Sequence, residues 1–128
     1  MNEAAGNTRF VTEYLRSLSG QSKTPELVAR FVSDPALAEH IQQAEAAFPR
    51  YEIVVDEMIA ERDLVALRGT FRGVHLGTFA GIPATGRQAA AGLMIFYRIE
   101  GDRIVEHWMQ FDAASLIAQI SASEPVRA

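Results

Sequence analysis

The chain has 128 residues, 48% hydrophobic and 22% charged, with a net charge of −4 and no cysteine. That length suits one domain over residues 1–128, able to bury roughly 65–70% of its unfolded surface without staples. The mild acidity excludes a broad nucleic-acid surface, which needs clustered Lys and Arg. The missing thiols exclude disulfides, Cys-ligated zinc and thiolate catalysis. Residues 1–7 are polar and lack the basic flank and apolar run of a signal peptide. The longest apolar run, Ala89 to Tyr97, falls well short of the ~20 residues a membrane helix needs. The expectation is a cytoplasmic protein without membrane or nucleic-acid contact.

The first half has helical periodicity. Asn7 is placed to cap a segment with an apolar stripe at Phe10, Val11, Tyr14, Leu15 and Leu18, closed by Gly20. Thr24-Pro25-Glu26 starts a second helix with a hydroxyl cap, a first-turn proline and an acid at the positive dipole end. Ser33-Asp34-Pro35 repeats the signal. Leu37, Ile41, Ala44 and Phe48 follow on one face, until Pro49. His40 lies off that stripe and is read as a surface residue.

The period then changes. Tyr51 to Ala60 and Leu64 to Phe71 form an antiparallel pair around Arg62-Asp63, which sets Glu57 opposite Arg68 and Val55 opposite Thr70. Phe71 to Phe79 carries Gly73 and Gly77, so a bent or bulged strand is expected there. Gly81 to Arg87 is a turn by composition. Ala89 to Ile99 and Ile104 to Phe111 are joined by Gly101-Asp102, with glycine first as a type II′ turn wants. Asp112-Ala113-Ala114-Ser115 opens a short last helix, and a polar tail follows from Ser121.

Opposed residues share a sheet face. An uninterrupted hairpin puts Glu106, Trp108, Gln110 and Asp112 with Ala91, Leu93, Ile95 and Tyr97. It puts His107, Met109 and Phe111 with Met94, Phe96 and Arg98. Both faces are largely apolar, whereas a sheet covered on one side alternates with polar residues. The helices can cover one face. The other predicts a homodimer through Met94, Phe96, His107, Met109 and Phe111.

Three segments together resemble a known family: Gly69-Thr70-Phe71-Arg72-Gly73-Val74-His75-Leu76-Gly77, then Gly81-Ile82-Pro83-Ala84-Thr85-Gly86-Arg87, then Arg98 to Trp108 with Asp112. Their order and spacing are similar to the SnoaL-like polyketide cyclase or ester cyclase group of the nuclear transport factor 2-like superfamily, over about residues 49–120. The resemblance implies an α+β fold: a cone-shaped, curved antiparallel sheet packed on N-terminal helices, the cystatin-like roll, with an apolar pocket inside and a dimeric assembly. It also implies ring closure by an intramolecular aldol reaction without cofactor or metal, using a carboxylate at the position of Asp112 as acid and base.

Asp112 is thus the leading catalytic candidate. A carboxylate near Trp108 would have its charged form disfavoured, raising its pKa toward values useful for moving an α-proton. The same residue stands where a helix N-cap belongs, a role that holds it ionised. His75, between glycines, is the second candidate, as a proton shuttle or oxygen ligand. Its plainer role is packing at the rim of a bulge. Trp108, Gln110, Tyr97 and Ile95 are expected to line the cavity around a small apolar molecule. Arg68 is expected either to orient a substrate or to pair with Glu57. The histidines show no metal-ligand spacing, so no metal site is expected. Two other functions fit the same residues. One is a non-catalytic ligand-binding or accessory dimer. The other is an epoxide hydrolase, for which Arg68 and Asp112 are present while Thr70 stands where a second acid is needed.

Overall fold

The computed structural model describes residues 3–121. Its elements are α1 (Glu3–Leu18), α2 (Pro25–Ala29), α3 (Pro35–Ala47), β1 (Glu52–Glu61), β2 (Leu64–Val74), β3 (Gln88–Glu100), β4 (Arg103–Phe111) and α4 (Ala113–Ser121). The polar tail expected after Ser121 lies outside the described residues. No helix among them is long and apolar enough to cross a membrane.

The helix signals act as their chemistry requires. The Thr24 hydroxyl accepts from the Leu27 N–H at 3.2 Å. One Asp34 carboxylate oxygen accepts from Ala36 and Leu37 at 3.0 and 3.4 Å. Val11, Tyr14, Leu15 and Leu18 form the buried stripe of α1. Gly20 ends that segment in the left-handed region, with φ +72°. Asn7 is not the cap. It lies inside α1, and its amide donates to the Arg62 carbonyl at 2.9 Å, tying the helix to the β1–β2 turn.

The strands form one antiparallel meander in the order β1-β2-β3-β4. β3 alternates strictly: Ala89, Ala91, Leu93, Ile95, Tyr97 and Ile99 are buried, while Met94 and Phe96 are exposed. The inner face carries the core, with α1 against β1 and β2 and α4 against β3. Two bulges bend the outer strands of this curved sheet. The first falls at Asp56, so Glu57 does face Arg68, but Thr70 faces Val54 rather than Val55.

The second bulge overturns the expected β3–β4 register. Ile99 pairs with Ile104, but Arg98 pairs with Glu106, leaving Val105 as an extra residue. Beyond it every β4 side chain is on the face opposite to the one an uninterrupted hairpin dictates. Tyr97 faces His107, Ile95 faces Met109 and Leu93 faces Phe111, all on the inner side. Trp108 and Gln110 pair with Phe96 and Met94 on the outer side. The turn itself also differs: Gly101 and Asp102 both have positive φ, +56° and +57°, which is a type I′ turn rather than II′. Asp is among the residues that tolerate that region.

The glycines at 73 and 77 do not bulge a strand. β2 pairs with β3 without interruption to Val74 and then stops. The N–H groups of Leu76 and Gly77 turn instead to the Ala47 carbonyl, each at 3.0 Å. A Cβ on Gly77 would lie 2.0 Å from the Ala46 carbonyl oxygen, and one on Gly73 would lie 2.9 Å from the Phe48 Cβ. Both positions need glycine because the end of α3 passes so close.

Candidate active site

A cavity of about 410 Å³ lies between α3 and the inner face of the sheet. Its sheet wall is Ile53, Phe71, Leu93, Ile95, Tyr97, Met109 and Phe111; Leu37, His40, Ile41, Gln43 and Ala44 face it from α3. Tyr14, Tyr51 and the segment Thr78-Phe79-Ala80 complete it. Among the described residues the lining contains no carboxylate, lysine or arginine.

A chain of ionisable side chains beside it is positioned by backbone pairing. The segment after α2 runs beside the start of β4: the Ile104 N–H donates to the Phe31 carbonyl, and the Ser33 N–H donates to the Ile104 carbonyl, both at 2.8 Å. The Arg103 guanidinium pins the same segment by donating to Ser33 Oγ and to the carbonyls of Ala29, Arg30 and Val32. Asp34 is thereby held within reach of the inner face of β4. Its Oδ2 lies 2.7 Å from His107 Nδ1, and His107 Nε2 lies 3.2 Å from Nδ1 of His40. The His107 and Asp34 side chains are only 6% and 12% exposed. The two imidazoles meet edge to face, with centroids 5.3 Å apart.

Hydrogen-bond chemistry fixes one proton position in this chain. Burial pushes the Asp34 carboxyl upward, but the bond from His107, the N–H groups of Leu37 and Ala36 and the nearby His107 charge outweigh it, and the pKa falls below the ordinary value. An ionised carboxylate only accepts, so His107 Nδ1 carries hydrogen. One hydrogen then lies between His107 Nε2 and His40 Nδ1 across 3.2 Å. With that hydrogen on His40 Nδ1, a neutral His40 ring has its lone pair at Nε2, on an exposed residue that lines the cavity.

The residues singled out from sequence are distributed over three places. Tyr97 and Ile95 line the cavity as expected. Trp108, Gln110, Arg68 and Asp112 do not. The Val105 bulge puts Trp108, 47% exposed, and Gln110 on the outer face. Arg68 is also outside, 2.7 Å from Glu57 and 3.7 Å from Asp56. Asp112 is exposed, and its Oδ1 accepts from the Ser115 N–H at 3.0 Å, capping α4. It borders an outer depression with Arg68, Thr70 and Gln110.

His75 is fully buried against Phe48 and does not line the cavity. Its Nδ1 accepts from the Thr85 N–H at 3.2 Å, and its Nε2 has no hydrogen-bond partner. The face assigned to dimerisation is corrected as well. Met94 and Phe96 are on the outer side, but His107, Met109 and Phe111 are inside, because the bulge reverses β4 alone.

Three residues of the site were missed. Asp34 was read as a cap only, and its second oxygen serves His107. His40 is three residues after Leu37 and one before Ile41, a spacing that puts it beside the buried stripe. His107 had no readable signal, since nothing in the local sequence announces a bulge at Val105.

A curved antiparallel sheet closing an apolar cavity under helices, with a histidine–carboxylate chain at one wall, defines the α+β class of this protein. The chain belongs to the SnoaL-like polyketide cyclase family, whose model matches residues 5–120. No curated relative matches it. The fold is similar to that of AclR from Streptomyces galilaeus, for which hydroxylation is the proposed activity. The TM-score is 0.79 at 21% identity, covering 97% of this chain and 86% of that one. It is also similar to TsrD from Streptomyces laurentii, with TM-score 0.74, 23% identity and 93% and 97% coverage. A third likeness is to a SnoaL-like polyketide cyclase from Agrobacterium tumefaciens, with TM-score 0.72, 19% identity and 90% and 98% coverage.

Proposed function

We propose that this protein is a pocket enzyme that needs no cofactor and catalyses carbonyl-adjacent proton transfer, as in polyketide-type aldol cyclisation, on a small apolar substrate. The observation that carries this reading is the Asp34–His107–His40 chain ending at the wall of an apolar cavity. His40 Nε2 takes a proton from the carbon beside a carbonyl. The His40 Nδ1 proton can pass to His107 Nε2, where the resulting imidazolium is stabilised by Asp34. The enolate carbon attacks a second carbonyl, one C–C bond forms, and the proton returns to the new alkoxide.

His40→Asn, assayed against an identified substrate, is expected to lower kcat/KM by roughly 10²–10⁴-fold. Asp112→Asn in parallel separates this relay from the family-type carboxylate. If the large loss falls on Asp112 and spares His40, the relay is not the base. The epoxide hydrolase reading is disfavoured, because Arg68 and its two acids are exposed on the outer face, away from the cavity.

We also propose a homodimer through the outer face, now defined by Met94, Phe96 and Trp108, which are 59%, 49% and 47% exposed. A contiguous apolar surface of this kind favours association. Light scattering over a dilution series is expected to show the dimer, and a monomer at every concentration would rule it out.

A further inference from the structure

The cavity holds three phenols that the acid–base chain does not use. Tyr14 comes from α1, Tyr51 from the approach to β1 and Tyr97 from β3, and they are 3%, 5% and 1% exposed. Tyr14 and Tyr97 meet edge to face with ring centroids 5.8 Å apart. Among the described residues, no backbone carbonyl, carboxylate or imidazole takes a hydrogen bond from any of the three. None of these hydroxyl oxygens is sealed away without a partner either, as His75 Nε2 is. Buried polar groups are ordinarily paired, so three uncommitted hydroxyls around one cavity call for a partner from outside the chain.

We infer that Tyr14, Tyr51 and Tyr97 form an oxygen-holding subsite that receives the carbonyl oxygen of a neutral, enolisable ketone and keeps hold of it as the enolate. Each phenol has one O–H to donate, so any two of the three supply two donors. Two donors match the two lone pairs of a carbonyl oxygen. Burial holds all three phenols above their ordinary pKa, so they remain O–H donors. The absence of lysine and arginine from the described lining selects a neutral ketone over a carboxylate. Tyr97 is the cross-strand neighbour of His107, which puts the oxygen site beside the relay. Donors aimed at a developing oxyanion in a dry site stabilise it without reorganising.

The inference rests on the enolisation reading above, and one experiment separates the two. The probes are 1-tetralone, a bicyclic ketone, and tetralin, its hydrocarbon counterpart, with the whole chain. Tetralone is expected to bind roughly tenfold more tightly, and its carbonyl stretch in difference infrared spectra is expected to move to lower frequency. Tyr14→Phe, Tyr51→Phe and Tyr97→Phe keep the rings and should each reduce the shift. His40→Asn should leave the shift intact while stopping deuterium exchange at the ketone α-carbon. A shift without exchange in the wild type sinks the relay and leaves the subsite standing. Equal binding of the two probes, binding of neither, or a shift indifferent to all three Phe variants overturns the subsite.

Discussion

The two faces of the sheet treat ionisable groups in opposite ways. Outside, Arg68, Arg72 and Arg98 pair with Glu57, Glu52, Asp63 and Glu106, all within reach of water, which screens each pair so that stability gains little. Inside, an acid and two histidines are held in line, and Asp34 and His107 are nearly closed off from solvent. The buried tyrosines beside them remain protonated. Adjacent β4 residues therefore have unrelated duties: His107 belongs to the inner chain, while Trp108 stands outside over Arg98, 5.7 Å from the guanidinium to the ring. The extra residue at Val105 decides which of the two looks inward.

Deleting Val105 attacks that comparison most directly. An uninterrupted hairpin would drive Trp108 and Gln110 inward and expel His107 and Phe111. A loss of at least ~4 kcal/mol is expected, the scale reserved for burying unpaired polar groups and reordering a core. Urea titration with circular dichroism measures it, and a midpoint near that of the wild type would mean that the register is not held by the bulge.

Asp34→Asn sharpens the inner half of the contrast. Losing the charged acceptor is expected to cost about 1–3 kcal/mol. It should also remove a pH dependence. The folded pKa of Asp34 lies below its unfolded value, so the carboxylate contributes stability above the unfolded pKa of about 3.9. That contribution is lost as the pH falls through the depressed folded value. Thermal midpoints between pH 7 and pH 2 should therefore drop less steeply in Asp34→Asn than in the wild type. Parallel curves would show that Asp34 is not the group responsible.

Asp112→Ala tests the outer half and should have the smallest effect. Loss of the α4 cap is expected to cost about 0.5–2 kcal/mol, with turnover unchanged within a fewfold. A stability loss without a catalytic one fits a capping role. The reverse pattern would return Asp112 to the chemistry.

Much of the frame was readable because its signals are local. Thr24-Pro25 and Ser33-Asp34-Pro35 start helices, the alternation along β3 assigns its faces, and the Gly-Asp turn closes the last hairpin wherever the chain is met. Asp34 is instructive because its cap was readable and its second bond was not. One oxygen serves residues two and three positions away, the other a histidine 73 positions away.

By itself, then, the sequence determined the α+β class, the order of the elements, the family resemblance and the inward places of Ile95 and Tyr97. Only the tertiary structure decided which face of β4 meets the cavity, that the Asp112 cap readable in the sequence lies beyond the cavity wall, and that His40, His107 and Asp34 form one chain. Period and capping are properties of a few neighbouring residues. A bulge is a compromise between two strands and everything packed on them, and a single extra residue on one strand exchanges its whole inner and outer sets.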